Sequence, residues 1–187
     1  MTVQDREESP TRERTRRAIL RAAIGVLAAH PGAAVGEVAE AAGVARSTLH
    51  RYYPDRAALE AAVGAFVLAE YGAAVQRARP GEGTGLAAYT RLCGELLDAQ
   101  EVFAWWMRTE VTDEMPAETD SDRQVAAVVR RGHDDGSIDP SLDAEWLTNH
   151  IWCGLFAAFH LPDQSGRRTP RETRDMCLRT LVKAARA

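Results

Sequence analysis

Residues 36–56, GEVAEAAGVARSTLHRYYPDR, decide how the rest of this chain folds. They read as a short helix, a glycine turn, a second short helix and the opening of a third. In the first, over 36–42, Val38, Ala39 and Ala42 share an inward face while Glu37 and Glu40 point away. Gly43 follows where a left-handed cap residue is expected, because glycine takes positive φ without a Cβ penalty. With residues 45–53 helical, Leu49 and Tyr53 lie one turn apart on one face, and Arg46 with His50 and Ser47 with Arg51 lie on another. One face anchors and the other is offered to a partner. Guanidinium, hydroxyl and imidazole donors on a helix thin enough to enter a major groove are the chemistry of a recognition helix. Pro54-Asp55 stops that helix, and Asp55 is placed to cap the next.

Working outward, residues 1–10 are polar and predict a disordered arm. From Thr11 a helix carries an apolar stripe of Leu20, Ala23, Ile24 and Leu27, and His30-Pro31-Gly32 ends it. Arg12, Arg14, Arg16 and Arg17 crowd its first turns, either as a solvated face or as phosphate contacts beside the recognition helix. On the other side, a long helix is predicted from 55 to about 79. Leu59, Val63, Phe66 and Val67 form its buried stripe, and PGEGTG at 80–85 terminates it.

The pattern V-x-x-V-A-x-x-A-G-V-x-x-x-T-L-x-R-Y-Y-P-x-R-x-A-L, running from Val35 to Leu59, resembles the DNA-binding domain of TetR-family transcriptional regulators. The resemblance implies an all-α fold, with a helix-turn-helix domain at 11–55 joined to a helical ligand-binding and dimerisation domain at 56–187. It implies that Arg46, Ser47 and His50 approach base edges, Arg46 being best suited to guanine O6 and N7. It implies phosphate contacts for Thr48, Tyr52 and Arg56, and either role for Arg51. Tyr53 is expected in the core, with Tyr52 more solvated. Two positions depart from the family. Ala45 stands where Ser or Thr usually caps the recognition helix, and Ala34 or Gly36 where Thr or Ser usually opens the preceding one. Each missing cap costs about 1 kcal/mol.

Beyond residue 85 the motifs thin out. Leu86, Tyr89, Cys93 and Leu96 or Leu97 make one helical stripe, and FAWWM at 103–107 concentrates three aromatics. Glu114-Met115-Pro116 breaks the chain, and helix resumes over 124–131 with Val125, Val128 and Val129. His133-Asp134-Asp135 invites a metal reading. The Gly132, Gly136 and Pro140 frame marks a polar turn instead, so no metal or other cofactor is expected. Asp143 is placed to cap a helix that is apolar nearly all round, with Leu147, Ile151, Gly154, Leu155, Ala158 and Phe159 on one side and Trp152 and Phe156 on another. Thr169-Pro170-Arg171-Glu172 is a capping box with proline at the first helical position, and Cys177, Leu178, Leu181, Val182 and Ala185 line the last helix.

Two apolar C-terminal helices suit a four-helix bundle made by two subunits, which is how the resembling family dimerises. Leu147, Ile151, Leu155, Phe159, Leu178, Leu181 and Val182 are the expected interface. A homodimer sets two recognition helices about one helical turn apart, so the expected partner is a palindromic double-stranded DNA operator. A small apolar or aromatic effector is expected to release it, with Phe66, Tyr89, Cys93, Phe103, Trp106, Val129 and Trp152 as candidate walls. Plain core packing is the competing reading for each. His150, one turn from Trp146, is a further candidate for the ligand or for the interface.

The 187 residues carry a net charge of −4, yet the chain up to Arg56 carries +2 and the remainder −6. Mild positive charge thus gathers at the helix-turn-helix. Cys93, Cys153 and Cys177 form no metal spacing, and a reduced cytoplasmic setting with no membrane partner is expected. No apolar run approaches the roughly 18 residues of a membrane span. A redox-sensing regulator is the alternative, with Cys177 two residues from Arg179 as its thiol. An enzyme is disfavoured, since no HExxH, G-x-S-x-G or Walker loop fixes a nucleophile beside a base.

Overall fold

The computed structural model describes residues 10–108, 119–161 and 166–187. The expected arm, apart from Pro10, and the break at 114–116 lie outside the described residues. Among the described residues there are nine helices and no strand: α1 Pro10–Ala29, α2 Val35–Ala41, α3 Arg46–Tyr52, α4 Arg56–Arg77, α5 Gly85–Asp98, α6 Gln100–Arg108, α7 Asp120–Asp134, α8 Ala144–His160 and α9 Pro170–Ala185. The all-α expectation holds. The chain divides into two compact units, and the division falls inside α4, between Leu68 and Ala69.

The first unit holds α1, α2, α3 and the first three turns of α4, together with the end of α6. Its core is the stripe the periodicity marks on α1, namely Leu20, Ala23, Ile24 and Leu27, joined by Ile19. Val38 and Ala39 of α2, Leu49 of α3 and Leu59, Val63 and Val67 of α4 complete it. Burying a side chain such as Leu49, 1% exposed, is worth about 1.5–3 kcal/mol. The turn between α2 and α3 depends on Gly43, whose φ is +66°.

The second unit contains the rest of α4 with α5, α7, α8, α9 and the start of α6. Here α5 and α7 cross through two glycines: a Cβ on Gly85 would lie 2.2 Å from the Gly132 Cα. Asp135 and Ser137 then cap α5 from the α7–α8 turn, accepting from Gly85 N at 2.7 Å and Leu86 N at 3.0 Å. His133 Nε2 pairs with the Leu142 carbonyl at 3.0 Å. The histidine and Asp135 are therefore both engaged in holding the turn. Arg91 donates to the carbonyls of Ala78, Arg79 and Glu82, pinning the α4–α5 link. Arg174 of α9 makes a two-pronged contact with Asp98 at the end of α5, at 2.7 Å to each oxygen.

One helix, α4, is long and apolar enough by length and composition to cross a membrane, although Glu60 and Glu70 keep its uninterrupted apolar run far shorter than a span. Its Leu59, Val63, Val67, Tyr71, Ala74 and Val75 are buried within the protein. Alanine-rich stretches raise the apolar content of α4 without giving it a fully apolar surface.

Candidate nucleic-acid interface and regulatory cavity

In α3 the anchor is Leu49, while Arg46, Ser47, His50 and Arg51 are all exposed. Thr48 and Tyr52 are half-buried, and Tyr53 is 5% exposed. Neither α2 nor α3 has a side-chain N-cap, because Ala34 and Ala45 hold those positions. For α2 the loss is partly offset by Glu37, whose carboxylate accepts from Ala34 N at 2.7 Å.

The exposed face of α3 meets α1 along one edge. Thr11, Arg12, Thr15, Thr48, Arg51 and Tyr52 line a cleft of about 360 Å³. Every one of these side chains carries a donor. The Tyr52 hydroxyl donates to the Arg12 carbonyl at 3.3 Å, and the Arg12 guanidinium sits 5.7 Å from the centre of the Tyr52 ring. Hydroxyls and guanidiniums around a shallow cleft suit phosphate oxygens. On the opposite edge, Arg46 lies over Gly36 in a second cleft lined also by Ser47, His50 and Asp55.

Arg56 is placed differently from its neighbours. Its Nη1 donates to the Ala33 carbonyl at 2.7 Å, its Nη2 to the Pro31 carbonyl at 2.5 Å, and its Nε to Glu60 at 3.1 Å. All three nitrogens of the residue expected at a phosphate are thus engaged inside the protein.

Of the expected effector walls, Tyr89, Cys93, Phe103, Val129 and Trp152 lie in the second unit, whereas Phe66 and Trp106 belong to the first. Phe66 is half-buried with the Arg17 guanidinium 5.7 Å from its ring centre. Phe103 and Trp152 stack at 6.2 Å with 15° between planes, and Tyr71 and Phe159 pack on this pair. The Tyr71 hydroxyl donates to Asp122 at 3.0 Å; burial and that carboxylate push its pKa upward, so it stays a donor. The Tyr89 hydroxyl is enclosed beside the Cys93 and Cys177 thiols, with the Cys93 sulfur its nearest polar partner.

Burial raises the pKa of the Cys93 thiol far above its ordinary value and that of Cys177 in the same direction. Both thiols are therefore poor sources of thiolate, which removes the support for Cys177 as a redox sensor.

A groove of about 620 Å³ runs along the α8–α9 seam, walled by His150, Gly154, Ala157, Phe159, Met176 and Cys177 among others. None of the seven expected effector walls lines it. Leu147, Ile151, Leu155 and Leu181, expected at a subunit interface, are at most 1% exposed and are covered within this chain. They have no surface left for a second copy. Phe159, Leu178 and Val182 are half-buried, and the large apolar side chains that do reach the surface here are Trp146, Phe156, Leu161 and Met176. An all-round apolar helix hides this distinction from periodicity, because every face scores alike.

Comparison with known proteins bears on both regions. A model of bacterial regulatory proteins of the tetR family matches residues 19–63. Over 156 residues, 81% of each protein, the chain is 39% identical to the HTH-type transcriptional repressor LfrR of Mycolicibacterium smegmatis. Among solved structures, the TetR-like transcriptional regulator LfrR from Mycobacterium smegmatis in complex with proflavine aligns with a TM-score of 0.67 at 34% identity. That alignment covers 95% of this chain and 99% of that one. The ketosteroid transcriptional regulator KstR2 of Mycobacterium tuberculosis aligns over 92% and 95% with a TM-score of 0.68; at 14% identity it speaks for the fold alone.

Proposed function

Because this chain belongs to the TetR family of bacterial transcriptional regulators, and so is a DNA-binding regulator and not an enzyme, we propose that it is a cytoplasmic homodimeric repressor of a palindromic operator. The observation that carries this reading is the division of α3, with Leu49 locked into the core and Arg46, Ser47, His50 and Arg51 facing out. Arg46, Ser47 and His50 read base edges, and Thr48, Arg51 and Tyr52 meet phosphates in the cleft shared with α1. A second copy covers the exposed Trp146 and Phe156 of α8, Leu161 at its end and Met176 of α9.

A flat aromatic effector releases the operator. What supports this is the stacked Phe103 and Trp152 pair with Tyr71 and Phe159 around it, and the LfrR structure with proflavine. The effector acts by binding one arrangement of the dimer more tightly than the arrangement that fits both half-sites.

Selection of random duplexes by the purified protein, followed by sequencing, tests the first half. A palindrome is expected among the survivors, and a folded protein that enriches nothing would refute the reading. Proflavine, titrated against the selected duplex, tests the second half. Release at concentrations where free proflavine does not disturb the duplex is expected; unchanged binding would sink the aromatic-effector assignment.

A further inference from the structure

We infer that Arg56 is a positioning residue that sets the α2–α3 pair against the start of α4, and is not a phosphate contact. The inference rests on the DNA-binding reading above and adds a residue role to it. The residue opens α4, and its guanidinium reaches back to the turn between α1 and α2. There it holds two carbonyls in one fork, Ala33 at 2.7 Å and Pro31 at 2.5 Å, while Glu60 one turn along α4 fixes the Nε edge at 3.1 Å. The Arg56 and Glu60 side chains are each about one-third exposed, so the fork is half withdrawn from solvent.

The need for such a fork follows from what α2 lacks. Its N-cap is Ala34, with no side-chain oxygen to hold the helix start. The entry into α2 is fixed instead from two sides. Glu37 reaches back to Ala34 N at 2.7 Å, and Arg56 takes the carbonyl of Ala33 immediately before it. Since α2 carries α3 across the Gly43 turn, a shift in the entry of α2 moves Arg46, Ser47 and His50 together. The fork therefore acts on specific recognition through geometry, and its own charge is spent on protein carbonyls and Glu60. Only a planar guanidinium spans two carbonyls and a carboxylate at once; a lysine ammonium keeps the charge but not the fork.

That difference supplies the test. Arg56→Lys and Arg56→Met are compared with the wild-type protein on the duplex it selects and on a scrambled duplex, across a salt series. Folding is checked by circular dichroism at the assay temperature. If Arg56 positions, both variants lose about tenfold in affinity for the selected duplex, bind the scrambled one as before, and keep the wild-type salt slope. If it contacts phosphate, Arg56→Lys resembles wild type, while Arg56→Met weakens on both duplexes and loses about one unit of slope. That second pattern, or no change in either variant, overturns the inference. Amide exchange over residues 33–38 supplies a readout free of DNA. It should quicken in both variants, and unchanged protection would equally overturn the inference. Should the wild-type protein select no duplex, the DNA reading fails, and exchange alone decides the fork.

Discussion

Gly36 governs where Arg46 lies. A Cβ on Gly36 would come within 2.7–2.9 Å of the Arg46 guanidinium, so the bare backbone of α2 is the surface on which that side chain rests. The obstacle is the far end of a flexible side chain, hence Gly36→Ala should displace Arg46 without opening the core, and alanine adds helix propensity. The variant is expected to melt no lower than wild type. Its preference should change at the base pair that Arg46 reads, and Arg46→Ala should lose about 1–3 kcal/mol at that same pair. The check is a panel of duplexes each altered at one base pair. A uniform loss across the panel for Arg46→Ala would exclude it as a base reader. The outward placement of Arg46, Ser47, His50 and Arg51 was legible in the sequence, because a one-turn pattern of polar donors opposite a buried Leu49 survives any change of context. The fork of Arg56 was not, since its acceptors are backbone carbonyls more than twenty residues away and carry no sequence signature.

At the scale of single elements, capping separates the two ends of the chain. α9 begins with a complete reciprocal cap: Thr169 accepts from Glu172 N at 3.2 Å, and Glu172 accepts from Thr169 N at 2.8 Å. Thr169→Ala should cost about 1 kcal/mol in thermal or urea unfolding. Hydrogen bonds from the Thr169 backbone and hydroxyl hold the Glu172 carboxyl below its usual range, as Ser137 and Gly85 do for Asp135. A carboxyl whose folded pKa is depressed stabilises fully above its unfolded value, about 4, and loses that contribution as pH falls through the folded one. Asp135→Asn should therefore be less stable than wild type at neutral pH, the two converging below about pH 4 in a pH series of melts. Asp55, Asp143 and Thr169 were readable as caps because each precedes an apolar periodic run, and each makes its bond. The start of α7 at Asp120 was read four residues late. Its cap, Thr119 with Asp122, pairs threonine with aspartate where the familiar pattern has glutamate or glutamine. α6 went unread as a helix because its crowded aromatics mask any period.

For the molecule as a whole, the visible break at Pro54-Asp55 suggests a domain boundary there, yet the first three turns of α4 stay with the first unit. Leu59, Val63 and Val67 are fully buried, so the stripe continues past the break that proline marks. A related ambiguity affects assembly: in an α8 that is apolar almost all round, sequence does not say which face serves the chain and which a second copy. Burial separates them, with Leu155 fully enclosed while Trp146 is 62% and Phe156 42% exposed. Two substitutions on one helix should then fail in different ways. Leu155→Glu places an unpaired carboxylate in the core and should unfold the protein or lower its melting temperature sharply. Phe156→Lys, combined with Met176→Lys, should leave helicity and melting at low concentration nearly unchanged while sedimentation shows a monomer. Such a monomer meets each half-site independently, without the effective concentration that tethering provides, so affinity for the full palindrome should fall far more than affinity for a single half-site. A double variant that sediments as a dimer would move the interface elsewhere on the protein.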